Sequence, residues 1–154
     1  MLRGGHALQV ANARMLEAKE LKRVEEDGIK RVVDAVEQKG YRFRPSATIP
    51  VVECSSFALG TILSLFGENV STSYLAGVKT AIADYYNDQI REVYASKPTE
   101  AELKEMFKMA RDEELVFVDE HTPGALDPAN EDADPVRKFA KNSTKVLLQI
   151  SSRV

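Results

Sequence analysis

Histidine is scarce in this chain: two among 154 residues, His6 and His121. Neither stands three positions after a carboxylate, and no Glu-x-x-His occurs anywhere. That removes the usual helical way of presenting a carboxylate and an imidazole to a metal pair from one face, a turn apart. A single cysteine, Cys54, excludes an internal disulfide and fits a reducing compartment. A basic excess is missing too: the net charge of −3 gives no general case for nucleic-acid binding. No uncharged apolar run reaches the roughly 18 residues of a spanning helix. The longest uncharged stretch, Cys54 to Gly67, suits an amphipathic or interfacial helix only. Met1-Leu2-Arg3-Gly4-Gly5 reads as neither a signal peptide nor an Arg/Ser-rich presequence, and a presequence already removed stays open.

What is present is the composition of a folded protein, with 44% hydrophobic and 29% charged residues, read as one domain over 1–154. The pattern is helical throughout. Ala11, Met15, Ala18, Glu25, Ile29, Val32, Val33 and Val36 keep helical period in a long N-terminal segment, 1–40, which Gly40 stops. An apolar helix follows over 45–66. A third segment, 71–95, places Leu75, Val78, Ile82, Tyr86, Gln89 and Val93 on one face. Lys97-Pro98-Thr99 breaks it, and Thr99 with Glu102 forms a capping-box pattern for a helix over 99–119. Its inner face is Leu103, Met106, Phe107, Ala110, Glu114 and Phe117. Glu120 to Asp134 reads as a surface loop. Asp134-Pro135 then caps a last helix over 134–154, with Val136, Phe139, Ala140, Ser143, Leu147 and Ile150 inward.

Three charged residues interrupt these apolar stripes. Lys79 falls among Leu75, Val78, Ile82 and Tyr86; Glu114 between Ala110 and Phe117; Glu25 between Ala18 and Ile29. Buried charge is costly unless paired, so each either reaches solvent along its stem or meets a partner. Cys54 reads as a small buried side chain, and His121 as part of a solvated turn.

Several motifs carry a resemblance. Arg42-Phe43-Arg44-Pro45, Phe57-Ala58-Leu59-Gly60, Ile82-Ala83-Asp84-Tyr85-Tyr86-Asn87-Asp88-Gln89-Ile90-Arg91 and Ala110-Arg111-Asp112-Glu113-Glu114-Leu115 resemble the demethoxyubiquinone hydroxylase family. Its members are di-iron, ferritin-like monooxygenases of ubiquinone biosynthesis at mitochondrial inner or bacterial membranes. The resemblance implies an all-α, ferritin-like helical bundle. The short spacing from Gln9 to Glu25, with no turn signal between, implies a shortened or fused N-terminal hairpin.

The departures fall on the positions that the resemblance assigns to metal ligands. Gln9 stands at the first carboxylate and Lys79 at the third-helix carboxylate. Asp84 and Tyr85 stand at a histidine pair. Glu114 keeps its carboxylate, but Phe117 and Val118 replace the histidines that follow it. The second-helix pair falls on Glu25 and Gly28, or on Asp27 and Lys30 without an insertion before Arg42. A protonated amine has no lone pair for a metal. The expectation is therefore no cofactor and no metal, Gln9, Glu25, Gly28, Lys79, Glu114 and Phe117 being vestigial positions, with Lys79 and Glu114 paired in the core.

On this reading the chain is a non-catalytic relative of the hydroxylases. It would be a structural or accessory subunit of a mitochondrial, inner-membrane assembly on the matrix side, a respiratory complex being one such setting, with protein subunits as partners and a peripheral membrane or quinone contact through 51–66. The alternatives are a quinone- or lipid-binding regulatory module and an active di-iron hydroxylase.

Overall fold

The computed structural model describes residues 30–31, 33–34, 37, 62–63, 65–96, 99–127, 130 and 133–151. The chain forms two compact units, Met1–Glu68 with Leu148–Val154, and Asn69–Leu147. Among the described residues every long element is an α-helix and there is no strand. None of these helices is long and apolar enough to cross a membrane. The shortened or fused N-terminal hairpin, and with it Gln9, Glu25, Asp27, Gly28 and Cys54, lies outside the described residues.

In the first unit, Lys30, Arg31, Val33, Asp34 and Glu37 are helical, as are Ile62, Leu63 and Leu65. The Phe66 amide donates to the Leu63 carbonyl at 3.1 Å, and the chain then turns at Gly67. With φ of +92°, Gly67 lies in the left-handed region that side chains disfavour, which is why glycine closes this segment.

Helix α1 spans Glu68–Ser96, α2 spans Ala101–His121 and α3 spans Pro135–Ser151. On α1 the stripe Leu75, Val78, Ile82, Tyr86, Gln89 and Val93 is buried, as helical period requires. Gly77, Ala81 and Ala83 are buried as well, so the helix is covered on more than one side. One neighbour is α2, where Phe107 places its ring 6.0 Å from that of Tyr86. The other is α3. A Cβ built on Gly77 would stand 2.7 Å from Cβ of Ala140 and would strike the Arg137 carbonyl oxygen. Glycine facing alanine is what lets these two helices approach so closely.

Two local expectations are corrected. The capping box at Thr99 and Glu102 does not form. Glu100 holds the N-cap of α2 without a side-chain cap hydrogen bond, and its φ of −83° and ψ of 63° lie outside the extended conformation that aims a capping oxygen along the helix. The backbone closes this end, the Ala101 amide donating to the Thr99 carbonyl at 3.0 Å. On α3 the inner face is turned from the one expected. Ala140 is buried as expected, but Phe139, Leu147 and Ile150 are exposed, and Arg137, Thr144 and Leu148 are buried in their place. Close contact with Gly77 selects the small-residue ridge, and the bulkier apolar stripe is left on the outside.

The α3 start follows its sequence. Asp134 Oδ1 accepts from the amides of Val136 at 2.9 Å and Arg137 at 3.2 Å, with Pro135 at the first helical position, where no amide is needed. Arg137 also donates to the Asn130 carbonyl, which ties the preceding loop to the helix. At the other end of α2, Thr122 satisfies the Val118 carbonyl twice, through its amide at 2.9 Å and its hydroxyl at 2.7 Å.

Candidate functional site

The second unit brings together two of the charged residues that interrupt the apolar stripes. Lys79, midway along α1, donates from Nζ to Oε2 of Glu114 on α2 at 2.7 Å, and both side chains are only 6% exposed. Helical period explains the placement: Lys79 stands one turn after Leu75 and Ala76, and Glu114 one turn after Ala110. The Lys79 ammonium also sits 4.8 Å from the centroid of the Phe117 ring. That ring in turn stacks on His121 at 4.1 Å and 14°. His121 is the last residue of α2, its Nδ1 lying 3.0 Å from the Phe117 carbonyl. Val118, completely buried, packs on the turn after Glu114.

A charged hydrogen bond in a dry core is strong per contact, and the aromatic face adds attraction for the cation. Each ion suffers the loss of its water, so each depends on the other.

One turn further along α1, Asp84 and Tyr85 stand where the resemblance places histidines. Asp84 Oδ2 lies 2.8 Å from Nζ of Lys145 and 3.3 Å from Nζ of Lys141, both on α3. Its carboxylate is thus held between two ammonium groups a turn apart. The Tyr85 phenol is pushed up to about 12, first by burial and then by the negative charge of Glu92. It is a proton donor that stays neutral through the physiological range.

Sequence reasoning passed over three contacts here. Arg111 reaches across from α2 to Asn87 on α1, Nη1 to Oδ1 at 3.1 Å, while pairing with its neighbour Asp112 at 2.7 Å. Both Arg111 and Asn87 belong to the motifs that carry the resemblance, so these residues tie the two helices together. The Lys141 and Lys145 pair was signalled by spacing alone, two lysines one turn apart opposite an aspartate on a neighbouring helix. The His121 stack was signalled the same way, since an aromatic four residues earlier on a helix lies on the same face.

A di-metal centre of ferritin-like type needs carboxylates and imidazoles converging from several helices. The described residues around Glu114 on α1 and α2 do not supply them. One turn on, where a second donor would reach the same metal, stand the hydrocarbon side chains of Phe117 and Val118, and the facing position on α1 is the Lys79 ammonium. Among the described residues no group of three or more His, Cys, Asp or Glu could hold a metal ion. The α1–α2 residues therefore do not fit a di-iron group. Of the other positions assigned to metal ligands, Gln9, Glu25, Asp27 and Gly28 lie outside the described residues, and Lys30 is helical and exposed.

The sequence matches the family described as Ubiquinone biosynthesis protein COQ7 over residues 4–151. It is 33% identical over 116 residues to a Dictyostelium discoideum protein named NADPH-dependent 3-demethoxyubiquinone 3-hydroxylase, mitochondrial, covering 73% of this chain and 52% of that relative. The Homo sapiens protein of the same name is 33% identical over 115 residues, covering 74% of this chain and 49% of the relative. The Mus musculus protein, again so named, is 35% identical over 88 residues, or 56% and 39% of the two chains. This chain spans about half the length of the first two relatives.

These relatives overturn the expectation of a non-catalytic structural or accessory subunit. Each bears the name of a hydroxylase, and nothing in the matches marks a branch without activity. The expectation rested on counting ligands: no Glu-x-x-His, and Gln9 and Lys79 at positions that the resemblance assigns to carboxylates. Histidine is one metal ligand among several, and oxygen donors such as carboxylates serve hard cations as well. A motif count over part of a family's length does not decide catalysis. The all-helical, ferritin-like fold and the match along nearly the whole chain agree: this protein belongs to the COQ7 family of ubiquinone biosynthesis proteins.

Proposed function

We propose that this chain acts in ubiquinone biosynthesis as a 3-demethoxyubiquinone hydroxylase. The observation that carries the reading is the family match over residues 4–151, supported by relatives that share one enzyme name at about one-third identity. The setting we propose is the mitochondrion, at the matrix face of the inner membrane, because a quinone with a long isoprenoid tail partitions into a bilayer and its modifying enzyme must meet it there.

The described helices contribute the frame for this reaction. Arg111 and Asn87 fix the register of α1 against α2, Lys79 and Glu114 neutralise each other between them, and Gly77 with Ala140 sets the approach of α3. Since the α1–α2 residues do not fit a di-iron group, no oxygen-transfer step is drawn through them.

Complementation tests the proposal. The chain, expressed with a mitochondrial presequence in cells deleted for their own hydroxylase, is expected to deplete accumulated 3-demethoxyubiquinone and restore ubiquinone in lipid extracts. Undiminished precursor in cells that contain the folded chain would refute it.

A further inference from the structure

We infer that Lys79 is the resident counter-ion of Glu114, taking the place beside this core carboxylate that a divalent cation would need. The α1–α2 pair thus holds Glu114 as half of an ion pair and not as a metal ligand. This goes beyond the proposed function and does not depend on it.

Three observations carry the inference. The first is direct contact: Nζ of Lys79 and Oε2 of Glu114 are 2.7 Å apart, a charge-assisted hydrogen bond between side chains that are each 6% exposed. A metal bound by the same carboxylate oxygen would sit about 2.0–2.2 Å from it, bringing a divalent charge close to a fixed ammonium in a medium that screens poorly. The ammonium, having no lone pair, could only repel it.

The second is that neither α1 nor α2 offers a companion donor one turn from the pair. A helix offers two ligands to one metal from positions three or four apart. From Glu114 those positions are Phe117 and Val118, an aromatic ring and a fully buried branched alkyl group. On the facing side, the neighbours of Lys79 at the same helical spacing are Leu75, Ala76, Ile82 and Ala83, all buried and all hydrocarbon.

The third is that the ammonium is itself seated. The Phe117 ring lies 4.8 Å from it, within the range of a cation–π contact, at the position where a ligand would complete a pair with Glu114. The substitutions therefore complement one another. Lysine supplies the positive charge, and phenylalanine supplies volume and a negative ring face towards it.

The test uses the full chain, purified and freed of metal, with Co(II) as a spectroscopic probe. Wild type and Glu114→Gln are expected to take up the same molar amount of Co(II), with identical visible absorption. A visible cobalt band in wild type that Glu114→Gln abolishes would overturn the inference. A second measurement needs no variant at the carboxylate. In 15N-lysine-labelled wild type, the Lys79 ammonium is expected to give a slowly exchanging signal that Co(II) neither shifts nor broadens. Paramagnetic displacement of that signal, or its absence from the slowly exchanging set, would equally overturn it. Ubiquinone recovery in the complemented cells reads the proposed function and cobalt uptake reads the ion pair, so either can fail while the other stands.

Discussion

The Lys79 ammonium stands 4.8 Å from the centroid of the Phe117 ring and 2.7 Å from the Glu114 carboxylate, so a single buried cation serves two partners on the neighbouring helix. The partners differ in what they contribute. A desolvated cation–π contact is worth about 2 kcal/mol or somewhat more, whereas breaking a buried ion pair by removing one member costs about 3–5 kcal/mol. The carboxylate is the dominant partner, because a buried charge left alone is penalised more heavily than a lost attraction.

That asymmetry predicts a double-mutant cycle. Lys79→Met is expected to lower unfolding free energy by about 3–5 kcal/mol, since it breaks a buried ion pair by removing one member. Glu114→Leu removes the other member of the pair and should cost a similar amount. The double variant should lie much closer to wild type than the sum of the two, because it replaces both ions with apolar side chains of comparable length. Urea denaturation of the four proteins measures this. Simple additivity would show that the pair is not coupled in solution.

Removing the aromatic partner should have a smaller effect. Phe117→Ala leaves the ion pair in place and deletes the ring that covers the ammonium and stacks on His121. Phe117 is half-buried, so the expected loss falls below that of Lys79→Met, at about 1–3 kcal/mol. The same denaturation series gives the comparison, and a larger loss than for Lys79→Met would reverse the proposed order of the partners.

Helix α3 gives the sharpest contrast between neighbouring positions. Gly77→Val would put a branched side chain into the Arg137 carbonyl and Ala140, and should destabilise by at least about 1–3 kcal/mol or block folding. Phe139→Ala changes a residue that is 67% exposed and should stay within about 0.5 kcal/mol. Thermal melts of both variants decide which face of α3 packs. A large loss at Phe139 with none at Gly77 would restore the bulky apolar stripe as the inner face.

Tyr85 predicts the alkaline limb of stability. Its phenol is held up to about 12 by burial and by Glu92, above the value of the exposed side chain. The neutral form is thus favoured by folding. Its contribution is complete below pH about 10 and is lost as pH rises towards 12. Tyr85→Phe is expected to flatten the fall in stability between those values, measured by denaturation at a series of alkaline pH values. An unchanged slope would place the phenol in water.

How much of this was legible in the sequence depended on the kind of signal. The buried stripe of α1 followed from period alone, because large apolar residues filled it without a rival face. Lys79 and Glu114 were placed on inner faces by the same geometry, although spacing could not say which helix faces which. The inner face of α3 was only partly read: Ala140 is inward as expected, but apolarity also pointed to Phe139, Leu147 and Ile150, whereas close packing on Gly77 buries Arg137 beside Ala140. A wheel weighs hydrophobicity but is blind to the distance at which two backbones meet. The capping pattern at Thr99 failed for a related reason: it specifies which atoms are available, not the dihedral angles that aim them. The chemistry was misjudged differently, by treating a missing motif as a missing activity.

Asp134 ties local sequence to acid stability. Burial works against its charge, but the Ser73 hydroxyl, the amides of Arg137 and Val136 and the Arg137 guanidinium together hold its carboxyl below the ordinary value of 3.8. Folding thus favours the ionised form. Its contribution is present above that value and is lost as pH falls through the lower, folded one. Asp134→Ala should cost about 1 kcal/mol at neutral pH, the usual loss of an N-cap oxygen. The gap between wild type and variant should then narrow below pH about 4, as the wild-type carboxyl takes up its proton. Urea midpoints for both proteins between neutral pH and pH about 3 test this. A gap of constant size would mean that the cap works through its shape and not its charge. Asp134→Asn separates the two contributions, since the amide keeps a capping oxygen but carries no charge. It should recover part of the stability at neutral pH and show none of the narrowing in acid.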